Sequence, residues 1–135
     1  MTAKVEFNHE KKIHPEPFRA IVAGRKTFEV RKFEEPWREG DTLLLREWDP
    51  DLYAVTCQRL KTTAKPQRGE HESRTFLRAR ASAKAYTGQQ IAVEVCYVVA
   101  PGTWGLPEEI VVFGIKPLGA PAVSVGTWSG PKVPA

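Results

Sequence analysis

The spacing of apolar residues changes several times along the chain, and each change marks an element. Val5, Phe7 and Ile13 alternate weakly with polar residues and predict a leading strand over 4–13. Phe18, Ile21 and Val22 then fall at i, i+3 and i+4, one apolar face of a short helix that needs a sheet to lie on. Pro15 and Pro17 suit the first turn of that helix, Glu16 suits its positive end, and Gly24 reads as the residue just past its end. From Lys26 to Arg31 the period becomes two, which predicts a strand with Thr27, Glu29 and Arg31 on one face and Lys26, Phe28 and Val30 on the other. Phe28 and Val30 are expected to point at the core, while Glu29 and Arg31 share a polar surface. Lys26, at the strand's start, fits either face.

Lys32 to Glu39 is a charged connection with Pro36 as breaker and Trp37 as packing anchor, and Gly40-Asp41 marks a turn. Thr42 to Trp48 follows as a strand with Leu43 and Leu45 on one side and Leu44, Arg46 and Trp48 on the other. Both sides are partly apolar, as in a small barrel whose outside is covered. Asp49-Pro50 ends it. Gln90 to Val99 is a second strong strand, with Ile91, Val93 and Val95 opposite Ala92, Glu94 and Cys96. A turn at Pro101-Gly102 leads to a last strand over Ile110 to Ile115.

Between these strands, residues 51–85 read as an insertion, with good helix formers from Phe76 to Ala85 and an open loop from Lys65 to Glu70. Residues 118–135 are rich in Pro, Gly, Ala and Ser and read as an irregular tail, with Val123, Val125 and Trp128 as residues that could dock it. The expected fold class is α+β: a single domain over 1–135, its small mixed sheet curled towards a β-barrel around one short N-terminal helix.

Length and composition agree with one modest core, since 135 residues with 41% hydrophobic and 27% charged content are ordinary for a soluble domain. No apolar run approaches the roughly 18 residues of a membrane span, and Met1-Thr2-Ala3-Lys4 leads into polar residues without a signal-peptide core. No membrane partner and a cytoplasmic location are expected. Cys57 and Cys96 lack metal-like spacing, as do His9, His14 and His71, so neither a metal nor a cofactor is anticipated.

The net charge of +4 is unevenly spread. Residues 51–85 hold eight Lys and Arg against Asp51, Glu70 and Glu72, a net of +5, which leaves −1 for the remainder. Basicity is therefore a property of the insertion, as expected if it meets phosphate, although solubility alone would also explain it.

No Gly-rich phosphate loop, nucleophile elbow or Cys/His signature is present. The remaining candidates are Lys26, Glu29, Arg31, Arg46, Glu47 and Glu94, charged residues in or near predicted strands. A lysine at a barrel mouth can hold phosphate as a point charge or act as a base if burial favours its neutral form. The planar fork of Arg31 can pair internally with Glu29 or grip phosphate. Trp48 and Tyr86 flank the insertion, where they would either stack on bases along a cationic groove or pack at the barrel rim.

Three stretches in order carry a family resemblance: Ile13-His14-Pro15-Glu16-Pro17-Phe18, then Ala23-Gly24-Arg25-Lys26-Thr27-Phe28-Glu29-Val30-Arg31-Lys32, then Gly40-Asp41 through Asp49. Together with Tyr86-Thr87-Gly88 and Ile91 to Lys116, they resemble the ASCH group of PUA-like domains, closest to a small uncharacterised ASCH-related family found in phages and bacteria. The resemblance implies a PUA-like β-barrel with a cleft beside the helix for RNA or a modified nucleotide. Lys26, Glu29, Arg31, Arg46, Trp48 and Tyr86 would contact that ligand, and the insertion would add phosphate contacts.

Some ASCH-like proteins are amidohydrolases that deacetylate cytidine acetylated on its exocyclic amine, and the resemblance places their essential lysine at Lys26. Their proposed threonine nucleophile falls at Glu29, and a later glutamate at Glu94. A carboxylate cannot replace a hydroxyl nucleophile in the same mechanism, although it can activate water as a general base. A third reading is a protein-interaction module whose basic insertion meets an acidic partner. Oligomeric state is not given by the sequence.

Overall fold

A computed structural model describes residues 6–118. In chain order the elements are β1 (His9–Ile13), α1 (Pro15–Val22), β2 (Phe28–Lys32), β3 (Thr42–Trp48), α2 (Pro50–Arg59), α3 (Glu72–Ala83), β4 (Tyr86–Val99) and β5 (Ile110–Pro117). The strands form one mixed sheet in the order β1-β3-β4-β5-β2, with β1 parallel to β3 and the other pairs antiparallel. Irregularities in the pairing between Arg46 and Trp48 and between Val95 and Tyr97 bend the sheet into a curled half-barrel.

The concave face holds the core. Leu43 and Leu45 of β3, Ile91, Val93 and Val95 of β4, and Val111, Phe113 and Ile115 of β5 cluster with Phe18, Ile21 and Val22 of α1. Burying each such large side chain contributes about 1.5–3 kcal/mol, which is why an eight-residue helix that would not persist alone is held in place. Trp37 joins this cluster, as its reading as a packing anchor predicts.

β2 reverses the expected polarity. Phe28 and Val30 are 45% and 53% exposed, whereas Glu29 is 3% exposed. The cause is register: Glu29 pairs with Phe113 and Arg31 with Val111, and cross-strand partners share a face. Phe28 and Val30 stand opposite Gly114 and Val112 on the convex side. The strand also begins at Phe28, after Lys26.

The insertion is more ordered than its composition suggests. Pro50, expected only to end β3, opens α2 at a first-turn position, and the Asp49 side chain caps it by accepting from the Asp51 amide at 2.9 Å. Helix α3 begins at Glu72, earlier than the Phe76 start expected, because the His71 ring accepts from the Ser73 amide. Among the described residues no helix is long and apolar enough to cross a membrane. Val123, Val125 and Trp128 lie outside the described residues.

Candidate functional site

The first-named candidates are brought together by the turn after α1. Gly24 adopts φ +78°, a left-handed conformation that is cheap only without a Cβ, and the Arg25 and Lys26 amides donate to the Ala20 carbonyl. Lys26 is thereby set just before β2, with its ammonium on Glu29 Oε1. Arg31, two residues along the same strand face, donates from Nε to Glu29 Oε2 at 2.9 Å, and its Nη2 lies at the same distance. A buried carboxylate is tolerated only when paired, and both oxygens of Glu29 are engaged by cations. Lys26 and Arg31 each keep 22% of their side chain in solvent. The cluster is thus an acid-centred clamp whose cations reach the surface.

Arg31 also bonds across the sheet's open edge. Its Nη2 donates to the Lys12 carbonyl of β1 at 3.0 Å. Further along this seam, His9 Nδ1 meets Glu35 Oε2 at 2.6 Å, and Lys11 pairs with the same carboxylate. Side chains therefore close the gap between β1 and β2 that no backbone ladder spans.

His9 organises the far end of the seam. It is 8% exposed, its Nε2 meets Asp41 Oδ2 at 2.8 Å, and its ring stacks on Trp37 at 3.8 Å, which stacks in turn on Phe113 at 4.3 Å. Burial by itself would raise the pKa of Glu35, but hydrogen bonds from Lys11 and His9 outweigh it and hold the carboxyl below its ordinary value. Asp41 is lowered in the same way, burial opposing and the His9 ring and Arg38 amide prevailing. Both partners are therefore carboxylates, one beside each ring nitrogen of His9. This constellation has no local signal in the sequence, since its members are 26 and 32 residues apart. Trp37 Nε1 is buried without a hydrogen-bond partner among the described residues.

The other candidates are placed elsewhere. The Trp48 ring is covered by the Lys12 ammonium at 4.0 Å, stacks near His14 and Tyr53, and donates from Nε1 to the Ser82 carbonyl at 2.9 Å. These contacts make it the anchor that ties α3 to β3. The Arg46 guanidinium lies 4.0 Å over the Tyr86 ring and 3.5 Å from Glu10. Glu94 alternates with the buried Val93 and Val95, so it stands on the convex face, 3.7 Å from Lys116, and is not brought to Lys26 and Glu29. Glu47 is 6% exposed and accepts from Thr87 Oγ1 at 2.6 Å.

Within the insertion, Arg78 is paired with Glu70 and Arg74 donates to the Lys61 carbonyl. The Glu70 carboxyl is held below its ordinary value chiefly by that hydrogen bond from Arg78. Arg59, Lys61, Lys65, Arg68, Arg74, Arg80 and Lys84 have no ion pair among the described residues, so most of the insertion's positive charge is unneutralised. Among the described residues no group of His, Cys, Asp and Glu could hold a metal ion.

A cleft of about 330 Å³ opens at the seam, lined by Lys11, Val30, Arg31, Lys32, Glu34 and Trp37. Two broader depressions, of about 590 and 470 Å³, flank the start of α3 and include none of Lys26, Glu29 and Arg31.

Comparison with known proteins gives a family. Residues 8–115, from before β1 into β5, match the family described as Domain of unknown function (DUF3850). A stretch of 48 residues, 36% of the chain, is 42% identical to a protein of Escherichia phage P2 described as "Uncharacterized 12.9 kDa protein in GpA 3'region". The match spans 41% of that phage protein's length, less than half of it. Because the family match takes in four strands, most of the fifth, and the whole clamp and seam, the chain belongs to the DUF3850 family.

Proposed function

We propose that this protein is a cytoplasmic, PUA-like ASCH domain that binds RNA or a modified nucleotide at the seam between β1 and β2. The observation that carries the reading is the clamp: Glu29 holds Lys26 and Arg31 in fixed positions while both cations stay partly open to solvent. Cations held by a buried acid are pre-organised to receive phosphate without first being ordered, which lowers the cost of binding. Arg46 over Tyr86 and the seven cations of the insertion without an ion pair add positive charge elsewhere on the molecule. The test is binding to single-stranded RNA as a function of salt. Micromolar binding that weakens steeply as salt rises is expected, because each phosphate contact releases counterions. Absence of salt-sensitive binding overturns the reading. Retention by an acidic protein after nuclease treatment, lost on deleting residues 51–85, would replace it with protein recognition.

A second reading, hydrolysis of acetylated cytidine, is favoured by one observation, the direct contact between Lys26 and Glu29. In it, Glu29 takes a proton from water as the oxygen adds to the acetyl carbonyl. The carbon–nitrogen bond then breaks, the amine of cytidine takes up the proton and acetate leaves. Both oxygens of Glu29 are occupied by cations, so one contact must open before the carboxylate can act as a base. That requirement favours binding over catalysis. Release of acetate that survives Lys26→Ala would remove this reading.

A further inference from the structure

The cleft at the seam has walls that donate more than they accept. Lys11, Arg31 and Lys32 face it against Glu34 alone. Lys11 is engaged by Glu35, but Lys32 has no ion pair among the described residues. Arg31 uses Nε and Nη2 on Glu29 and the Lys12 carbonyl, and no hydrogen bond to Nη1 is found among the described residues. Trp37 lines the same cleft, is 7% exposed, and keeps an Nε1–H without an acceptor. A buried donor left unpaired is uncommon in native structures, and this one belongs to a residue that lines the cleft. The volume, about 330 Å³, is at the small end of ligand sites and suits one compact molecule.

We propose that this cleft seats a terminal phosphate monoester, with Arg31 Nη1, Lys32 Nζ and Trp37 Nε1 donating to its three free oxygens. This rests on the nucleotide-binding reading above and narrows it to a mononucleotide or the phosphorylated end of a strand. A monoester carries about −1.5 to −2 charges near pH 7 and three strong acceptor oxygens, whereas an internal diester carries one charge and needs room for chain on both sides. Nε1 of Trp37 is closed to water, so a ligand reaches it only when side chains lining the cleft shift.

The experiment is calorimetric titration of the full chain with cytidine, cytidine 5′-monophosphate and inorganic phosphate, followed in parallel by the indole N–H resonance of Trp37, assigned with Trp37→Phe. The monophosphate is expected to bind about 10-fold or more tighter than cytidine, as charge-assisted hydrogen bonds add to it alone. Lys32→Ala is expected to remove most of that preference, and the Trp37 resonance to move with the monophosphate and not with cytidine. Equal affinity for nucleoside and monophosphate overturns the proposal while leaving nucleotide binding intact. Binding of inorganic phosphate as tight as that of the monophosphate overturns it in favour of a free-anion site. No binding of either nucleoside form, together with no salt-sensitive RNA binding, removes the underlying reading and the proposal with it. A 5′-phosphorylated dinucleotide that binds as tightly as the monophosphate identifies the source as a strand end, and weaker binding identifies it as a free mononucleotide.

Discussion

Arg31 Nη2 donates to the Lys12 carbonyl at 3.0 Å while the same guanidinium holds Glu29, so one side chain joins two edge strands and neutralises a buried acid. Losing it should affect both functions together. Arg31→Ala leaves Glu29 with a single cation and opens the seam, and is expected to cost about 2–4 kcal/mol in urea unfolding, somewhat below a fully buried pair because the arginine is partly solvated. Arg31→Lys should restore charge but not the fork, and recover only part of the loss.

The orientation of β2 can be tested at its exposed position. Val30→Thr should change stability by less than about 0.5 kcal/mol, because half of the side chain is already in water. A strand that buried Val30 would instead lose well over 1 kcal/mol by the same measurement, since a hydroxyl would enter the core.

Acid should weaken the His9 end of the seam. Glu35 and Asp41 have pKa values below their ordinary 4.5 and 3.8, so their contribution is fully present above those values and is lost as pH falls through the lowered ones. Unfolding free energy is therefore expected to decline from about pH 5 downward, and the decline to be shallower in Glu35→Gln and Asp41→Asn. Equal slopes in wild type and both variants would show that these contacts are not held in solution.

Trp37 carries a large apolar ring and a donor with no acceptor, two terms of opposite sign. Trp37→Phe keeps most of the stack between His9 and Phe113 and removes the orphaned N–H, so its cost in thermal or chemical unfolding should stay below about 1.5 kcal/mol. Trp37→Ala should cost about 3–5 kcal/mol, as the cavity is left between packed rings.

Trp48 links the insertion to the sheet through Ser82. Trp48→Phe deletes that hydrogen bond, for an expected loss of about 1 kcal/mol, and should speed amide exchange in α3 more than in β4. Uniform exchange across both elements would mean that α3 is held by other contacts.

Much of the fold was legible in local pattern. Phe18, Ile21 and Val22 lie on one helical face at any location, and Leu43, Leu45, Ile91, Val93 and Val95 alternate whichever partner they meet. Gly24 marks a chain reversal because backbone sterics are local. The pairing of Lys26, Glu29 and Arg31 was within reach for the same reason, as strand spacing puts Glu29 and Arg31 on one face. Helix α2 was not legible because Pro50 reads as a terminator unless the preceding Asp49 is recognised as its cap.

Tertiary structure decided the rest. Which face of β2 points inward depends on its register with Phe113 and Val111, and alternation alone is symmetric between the two faces. The His9, Glu35, Asp41 and Trp37 constellation depends on the sheet curling until its edges meet, which no window of sequence encodes. The separation of Glu94 from Lys26 follows from the same parity. The chain by itself determined where strands and helices form, through steric and hydrophobic periodicity. Closure of the sheet determined which charges are buried and which meet, because those contacts are made between residues far apart in the chain.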